Sequence, residues 1–189
     1  MIVPSSRPDA AAVRRLNWGC GPSPAPGWTN SDRSSARGVD LPCDIRDGLP
    51  VADDSFDYAV SIHALQAITY LEVVGVLREL RRVLRADGVL RLAVPDLDRA
   101  IEAYRRGDHA YFEVPDDEVR SLGGKLSVQM TWYGHSHLLL TYDFLEELLQ
   151  RAGFRDVRRC AFGETGSAYP EITQLDDRER ETLFVEARK

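Results

Sequence analysis

Two glycines flank a cysteine at the end of a short apolar run, in the stretch LNWGCGPSPAPGWTNSD from Leu16 to Asp32. Gly19 and Gly21 have no Cβ atom, so the backbone can turn tightly there and approach a ligand closely. A dinucleotide site would need a third glycine, a helix directed at a pyrophosphate and an acidic residue about 20 positions further on. Here Pro24 stands at the third glycine position, and Asp32 follows Gly21 by only 11 positions. The pattern therefore predicts a binding turn for a ligand without a pyrophosphate.

Three prolines, Pro22, Pro24 and Pro26, oppose a long helix behind this turn, because proline lacks the backbone donor that a helix interior needs. A ligand without phosphate does not need the dipole of such a helix. A ribose diol would still need an acid, and Asp32 closes the next predicted strand. S-adenosylmethionine (SAM) is a ligand of this kind. The alternative for Asp32 is a plain cap at the end of the strand.

Two histidines, His135 and His137, precede the last long predicted helix. Histidine titrates near neutral pH, so either could take a proton from a hydroxyl or a protonated amine of a bound substrate. In an extended segment both would point to the same side. We predict that one of them is a base or an orienting group on the acceptor side, with a structural role as the alternative. A metal shared by the pair lacks a third ligand nearby in the sequence, so no metal is expected.

The elements that must position these residues alternate along the chain. Apolar runs predict five strands, over Val13–Trp18, Trp28–Asp32, Val39–Cys43, Phe56–Ile62 and Gly88–Pro95. Helical spacing predicts three helices, over Tyr70–Gly88, Asp96–Gly107 and Thr141–Gly153. Two last strands, Phe154–Phe162 and Thr182–Lys189, are expected to pair at the sheet edge. This order predicts an α/β fold, a Rossmann-like doubly wound sheet that is mostly parallel with an antiparallel C-terminal strand pair.

The first predicted helix carries its apolar residues at helical spacing. The expected buried stripe is Leu71, Val74, Leu77, Leu80 and Leu84. Asp87-Gly88 is expected to end this helix, with Gly88 in the left-handed conformation.

The chain length of 189 residues fits a single domain over 1–189. Residues 1–12 are expected to form a loose arm. Residues 108–134 are irregular and rich in aromatics, and are expected to form an insertion that covers or walls an acceptor pocket.

The composition excludes several partners. The chain has 24 basic and 30 acidic residues and a net charge of -6, which opposes nucleic-acid binding because that needs a basic face. No run approaches the roughly 20 apolar residues of a membrane span. Three widely spaced cysteines without a CxxC pair favour a reduced, cytoplasmic protein. A small-molecule acceptor is therefore expected, and no oligomeric state is indicated.

Five stretches in order carry a family resemblance: LNWGCGP, GWTNSD, CDIRDGLPVADDSFDYAVSIHAL, LRELRRVLRADGVLRLAVPDL and TYDFLEELLQRAGF. Together they resemble the class I SAM-dependent methyltransferases, most closely the small bacterial branch that reads L-N-L-G-C-G and then G-W-x-N-x-D. The resemblance runs from Leu16 to Phe154. It implies SAM as the cofactor and S-adenosyl-L-homocysteine as the product.

The resemblance also implies a set of cofactor-binding residues: Asn17, Gly19, Cys20, Gly21, Asp32, Asp44, Ile45, Ser61 and His63. The glycine turn would wrap the methionine part of SAM, and Asp32 would accept hydrogen bonds from the ribose. Asp44 and Ile45 would contact the adenine, although the DIRDG stretch is also typical of a plain turn. The residues after the fourth strand would lie near the sulfonium and the acceptor. Cys20 is interpreted as a small buried residue, not a nucleophile.

One motif departs from the family. Relatives often read H-V-L-E-H after the fourth strand, whereas this chain reads His63-Ala64-Leu65-Gln66-Ala67. The resemblance implies an enzyme that methylates O or N of a small molecule, in a branch often associated with sugars or secondary metabolites. The missing Glu and His motivate an alternative, a non-catalytic SAM- or nucleoside-binding or regulatory module. A different enzyme on the same fold is the third hypothesis.

Overall fold

The computed structural model describes residues 13–189, so the loose arm predicted for 1–12 lies outside the described residues. Within them, one sheet has seven strands: β1 (Arg15–Trp18), β2 (Thr29–Asp32), β3 (Leu41–Pro42), β4 (Phe56–Ile62), β5 (Leu84–Pro95), β6 (Arg155–Cys160) and β7 (Thr182–Arg188). Their order is β3-β2-β1-β4-β5-β7-β6. Strands β1 to β5 pair in parallel, and β7 runs antiparallel to β5 and β6. The predicted fold class, with its antiparallel C-terminal pair, is confirmed.

Four α-helices connect and cover the sheet: α1 (Tyr70–Val83), α2 (Leu97–Arg106), α3 (Leu122–Thr131) and α4 (Tyr142–Arg151). Helices α1 and α4 pack on each other and share the main core with β1, β4, β5 and β7. A second, smaller cluster contains Trp28, Tyr58, Val60, Val89 and Ile172. It is covered by the loop before β2 and by a short 3-10 helix, Pro170–Thr173. No helix among residues 13–189 is long and apolar enough to cross a membrane.

The apolar stripe predicted for the first helix was wrong in part. Leu71 is 91% exposed, and the buried residues of α1 are Val73, Val76, Leu77, Leu80 and Val83. A capping box between Thr69 and Glu72 starts the helix. The helix ends at Val83, earlier than predicted, because Leu84 already pairs with β4. Asp87, not Gly88, takes the left-handed conformation, with φ of 61°.

No helix follows β1, as the prolines predict. The loop between β1 and β2 is held instead by Asn30, whose Oδ1 accepts hydrogen bonds from Asn17 Nδ2 at 3.0 Å and from the Ala25 backbone N–H at 2.8 Å. Asn30 Nδ2 returns a hydrogen bond to the Ala25 carbonyl at 3.0 Å. A buried amide thus holds the loop that joins β1 to β2.

The segment 108–134 is more regular than predicted. It contains α3 and two 3-10 turns, His109–Tyr111 and Trp132–Gly134. Helix α3 packs on α2 in a cluster of its own, formed by Ala100, Ala103, Tyr111, Phe112 and Met130. Whether this segment acts as a lid stays a prediction.

A fully buried arginine attaches the segment between β6 and β7 to the sheet. Arg91 on β5 donates from Nε to Asp176 Oδ1 at 2.7 Å and from Nη1 to Glu186 Oε1 at 2.9 Å. The same guanidinium also donates to the carbonyls of Ala161 and Glu164. The Arg91 guanidinium and its two carboxylate partners are buried and paired. This cluster therefore fixes where the chain re-enters the sheet at β7.

Candidate active site

The predicted glycine turn lies where the carboxyl ends of β1 and β4 meet. Gly19 and Gly21 have φ of 71° and 53°, values that favour glycine. The backbone N–H groups of Gly19 and Cys20 both donate to the Ser31 carbonyl, at 2.8 and 3.1 Å. A Cβ on Gly19 would lie 2.3 Å from the Cβ of Ala64. Position 19 therefore has no room for any side chain.

Asp32 joins the end of β2 to this turn. Its Oδ2 accepts a hydrogen bond from Gly21 N–H at 2.9 Å, and its Oδ1 accepts one from Ser34 N–H at 2.8 Å. Burial alone would raise the pKa of Asp32, but these hydrogen bonds outweigh it and lower the pKa. A carboxylate keeps further lone pairs after two such bonds. Asp32 therefore caps the turn and can still accept from a diol.

Two cavities open on either side of Gly19, which lines both. The first cavity has a volume of about 550 Å³, and the second about 390 Å³. The first is lined by the predicted residues Asn17, Gly19, Cys20, Gly21 and His63. The second is lined by the predicted residues Gly19, Asp32, Asp44, Ile45, His135 and His137. Of the predicted site residues, Ser61 lines neither.

The second cavity places Asp44 and Ile45 beside Asp32. Asp44 caps the 3-10 helix Ile45–Asp47 and accepts two hydrogen bonds from Arg46, from Nε at 2.9 Å and from Nη2 at 2.6 Å. The Arg46 side chain lowers the pKa of Asp44 to about 2. Ile45 is buried. An adenine contact by Asp44 stays a prediction, since Arg46 already engages its carboxylate.

The two histidines lie on the side of Asp32. Both are exposed and line the second cavity, while Ser136 between them lines the first. The backbone at His135 is helical, not extended, with φ of -84° and ψ of -20°, so the shared side does not come from an extended segment. The His137 N–H donates to the Gln66 carbonyl at 2.7 Å, which fixes the segment. Their role as an acceptor-side base stays a prediction, and they share the second cavity with Asp32.

The residues after β4 take different positions. Ser61 is buried behind Gly19, and its Oγ has no hydrogen-bond partner. His63 has φ of 49°, and its Nε2 lies 2.8 Å from Thr182 Oγ1 at the start of β7. Burial, with a smaller effect of Arg178, lowers the pKa of His63 to about 4. His63 is therefore neutral at physiological pH.

The cysteine in the turn is unreactive in this setting. Burial, followed by the charge of Asp32, raises the pKa of the Cys20 thiol. A thiol that stays protonated is a poor nucleophile. Among residues 13–189 no group of three His, Cys, Asp or Glu side chains is placed to hold a metal ion.

Sequence reasoning expected the 108–134 segment to wall a pocket, but it did not foresee that the chain before β7 completes the far wall of the first cavity. Tyr111 and Gln129 reach it from the 108–134 segment, and Asp177, Arg178 and Glu181 reach it from the chain before β7. None of these residues lies in a local motif. A signal existed only for Gln66, which stands where relatives often have Glu and also lines this cavity.

The fold and its cleft can be compared with known proteins. The family model "Methyltransferase domain" matches residues 16–92. A SAM-dependent methyltransferase from Thermotoga maritima, described as a possible histamine N-methyltransferase, has 17% sequence identity and a TM-score of 0.55, over 93% of this chain and 82% of that one. A SAM-dependent methyltransferase from Archaeoglobus fulgidus has 12% sequence identity and a TM-score of 0.58, over 94% of this chain and 87% of that one. Another from Mesorhizobium loti has 20% sequence identity and a TM-score of 0.53, over 97% of this chain and 94% of that one. No curated protein matches.

The matched segment contains the glycine turn, Asp32, Asp44 and the residues after β4. This segment, less than half of the chain, matches the methyltransferase domain model. Solved SAM-dependent methyltransferases share the fold over nearly the whole chain. The predictions of a SAM-dependent methyltransferase and of SAM as its cofactor are confirmed at this level. Membership of the small bacterial branch and the nature of the acceptor stay predictions.

Proposed function

We propose that this protein transfers the methyl group of SAM to an oxygen or nitrogen of a small molecule. The observation that carries the proposal is the division of one cleft into two cavities at Gly19. The adenosine would occupy the second cavity, with the ribose at Asp32. The methionine and the acceptor would share the first.

The geometry supports positioning as the main contribution of the protein. The sulfonium is an activated donor, so transfer needs the acceptor atom in line with the methyl group. Gly19 lines both cavities, so a ligand that occupies both would cross the backbone of this residue. The acceptor would lie against the wall formed by the 108–134 segment and the chain before β7.

We also propose that the protein has a single domain and a cytoplasmic location. A single domain and a cytoplasmic location agree with one continuous sheet and with free Cys20, Cys43 and Cys160. An acidic balance favours a small-molecule acceptor over nucleic acid.

Incubation with methyl-labelled SAM and a metabolite extract tests this function. We expect label in the small-molecule fraction from the wild type and loss of transfer with Asp32→Ala. Gln66-Ala67 in place of Glu-His favours the second candidate, a non-catalytic SAM-binding module. Binding of S-adenosylhomocysteine without any labelled product would support that candidate instead.

A further inference from the structure

A buried carboxylate in the first cavity is poorly paired. Glu181 is 8% exposed and precedes β7. Gln129 Nε2 donates to its Oε2 at a long 3.4 Å, and Arg178 Nη1 lies 3.9 Å from Oε1, beyond hydrogen-bond distance. A carboxylate can accept about four hydrogen bonds. Glu181 therefore has room for a donor from the cavity.

The other deeply buried carboxylates of the described chain differ. Asp176 and Glu186 each accept from Arg91, at 2.5 to 2.9 Å. Asp96 accepts from Arg159 Nη2 at 2.9 Å. Since a buried charge without close partners is costly, the loose pairing at Glu181 indicates a missing ligand.

A second hydrogen-bond acceptor in the same cavity also lacks a donor. Gln66 is 8% exposed, and its Nε2 donates to the His63 carbonyl at 2.7 Å. That bond fixes the orientation of the amide, and Gln66 Oε1 has no hydrogen-bond partner. Gln66 and Glu181 come from different elements and line one cavity. Both residues therefore leave hydrogen-bonding capacity unused beside the same cavity.

The charges of the cavity favour a cation. Its ionised side chains are the carboxylates of Asp177 and Glu181 and the guanidinium of Arg178. His63 adds no charge, because burial lowers its pKa to about 4. A primary ammonium has three donors and one positive charge, which match the loosely paired Glu181 carboxylate and the net negative charge.

We propose, on the basis of the proposed function, that the methyl acceptor is an amine that binds as an ammonium at Glu181, and that Glu181 is the catalytic residue that takes its proton. The proton moves from nitrogen to the carboxylate and leaves a neutral amine. The amine lone pair then forms the N–CH3 bond while the S–CH3 electron pair returns to sulfur. The products are a methylated ammonium and S-adenosylhomocysteine, and Glu181 releases its proton to solvent.

The environment of Glu181 suits a base. Burial, followed by the charge of Glu113, raises the pKa of Glu181. A carboxylate whose pKa rises toward neutral is a more effective base at physiological pH.

Three matched probes test this: phenethylamine, phenethyl alcohol and phenylacetate, titrated into protein saturated with S-adenosylhomocysteine. We expect the amine to bind at least about tenfold more tightly than the alcohol and the acid, as for a charged hydrogen bond. Glu181→Gln should abolish this preference. Glu179→Gln, which removes an exposed carboxylate two residues away that does not line the cavity, should keep it.

Several outcomes would overturn the inference. These are an amine that binds no better than the alcohol, including no binding of any probe, and a preference that survives Glu181→Gln. A Glu181→Gln variant that binds S-adenosylhomocysteine more than tenfold more weakly would show that the carboxylate holds the cofactor instead. Failure of the wild type to bind S-adenosylhomocysteine would contradict the proposed function itself, so the two failures are distinguishable.

Discussion

Gly19 packs closely against Ala64, and this contact requires that residue 19 has no Cβ atom. The Cβ of Ala64 lies 2.3 Å from where a Cβ of residue 19 would stand, and φ at this position is 71°. Gly21 has φ of 53°, but its Cβ would meet no protein atom within 4 Å. The two glycines therefore differ in one physical respect, the steric clash.

Alanine at each glycine separates clash from backbone strain. We expect Gly21→Ala to cost about 1 kcal/mol of unfolding free energy, the strain of a left-handed residue. Gly19→Ala should lower the unfolding free energy by at least about 1 kcal/mol more than Gly21→Ala does, because Ala64 must also move. Ala64→Gly should restore part of the loss in Gly19→Ala. Equal destabilisation in urea unfolding by the two single variants would contradict the account.

His63 predicts a pH dependence of stability. Its pKa is about 4 in the folded protein, below the 6.5 of an unperturbed histidine. Between these values the unfolded chain binds a proton that the folded one does not, so stability falls as the pH drops from 6.5 to 4. We expect a loss of up to about 3 kcal/mol from this group.

His63→Asn provides the comparison, because asparagine tolerates the left-handed backbone. The difference in unfolding free energy between the wild type and this variant should shrink as the pH falls from 6.5 to 4. A difference that does not change with pH would contradict the assignment.

At the scale of elements, the Arg91 cluster holds the chain before β7 in place. Arg91→Met would leave Asp176 buried without its ion-pair partner, and Glu186 paired with Arg158 alone. We expect a loss of about 3 to 5 kcal/mol in unfolding free energy. Arg106→Met, which removes an exposed pair with Glu102, should change it by less than about 1 kcal/mol. Similar losses in the two variants would show that the cluster does not stabilise the fold.

Most elements could be predicted from local pattern, and the failures have physical causes. β4 matched from Phe56 to Ile62 because it is a continuous apolar strand. Helix α3 was missed because it contains Gly123 and Gly124, and because buried Lys125 and Gln129 interrupt any apolar stripe. Those polar residues have hydrogen-bond partners outside the helix. Lys125 Nζ, for example, donates to the Val114 carbonyl. Spacing alone does not show such partners.

Some residues of the site could likewise be predicted from the local sequence, and others could not. Gly19 and Asp32 were predictable because the turn and the acid lie within one short stretch. Glu181 was not, because it reaches the cleft only through the insertion of β7 between β5 and β6. The sequence also did not indicate that His135 and His137 would face the side of Asp32.

At the scale of the whole molecule, the two parts of the chain supply different walls. The 16–92 segment contains the predicted cofactor residues, and the later chain provides most of the far wall of the first cavity. The link Trp132–Gly134 touches both cavities and has three successive positive φ values, 43°, 54° and 89°. Such backbone is strained in non-glycine residues.

Ligand binding should therefore slow hydrogen exchange in this link. We expect amides of residues 132–137 to exchange more slowly with S-adenosylhomocysteine bound, because the segment lines both cavities. Amides near Asp156 on β6, which lines neither cavity, serve as the internal control. Unchanged exchange at 132–137 under saturating ligand would exclude this segment from the binding site.

The central claim is that Asp32 binds the ribose of a SAM-type ligand beside Gly19. Calorimetric titration with S-adenosylhomocysteine tests it in the wild type, in Asp32→Ala and in Glu102→Ala, whose exposed carboxylate lines neither cavity. We predict one-to-one binding by the wild type and Glu102→Ala, and at least about tenfold weaker binding by Asp32→Ala, as for loss of a charged hydrogen bond. No binding by the wild type, or equal binding by Asp32→Ala, would contradict the claim.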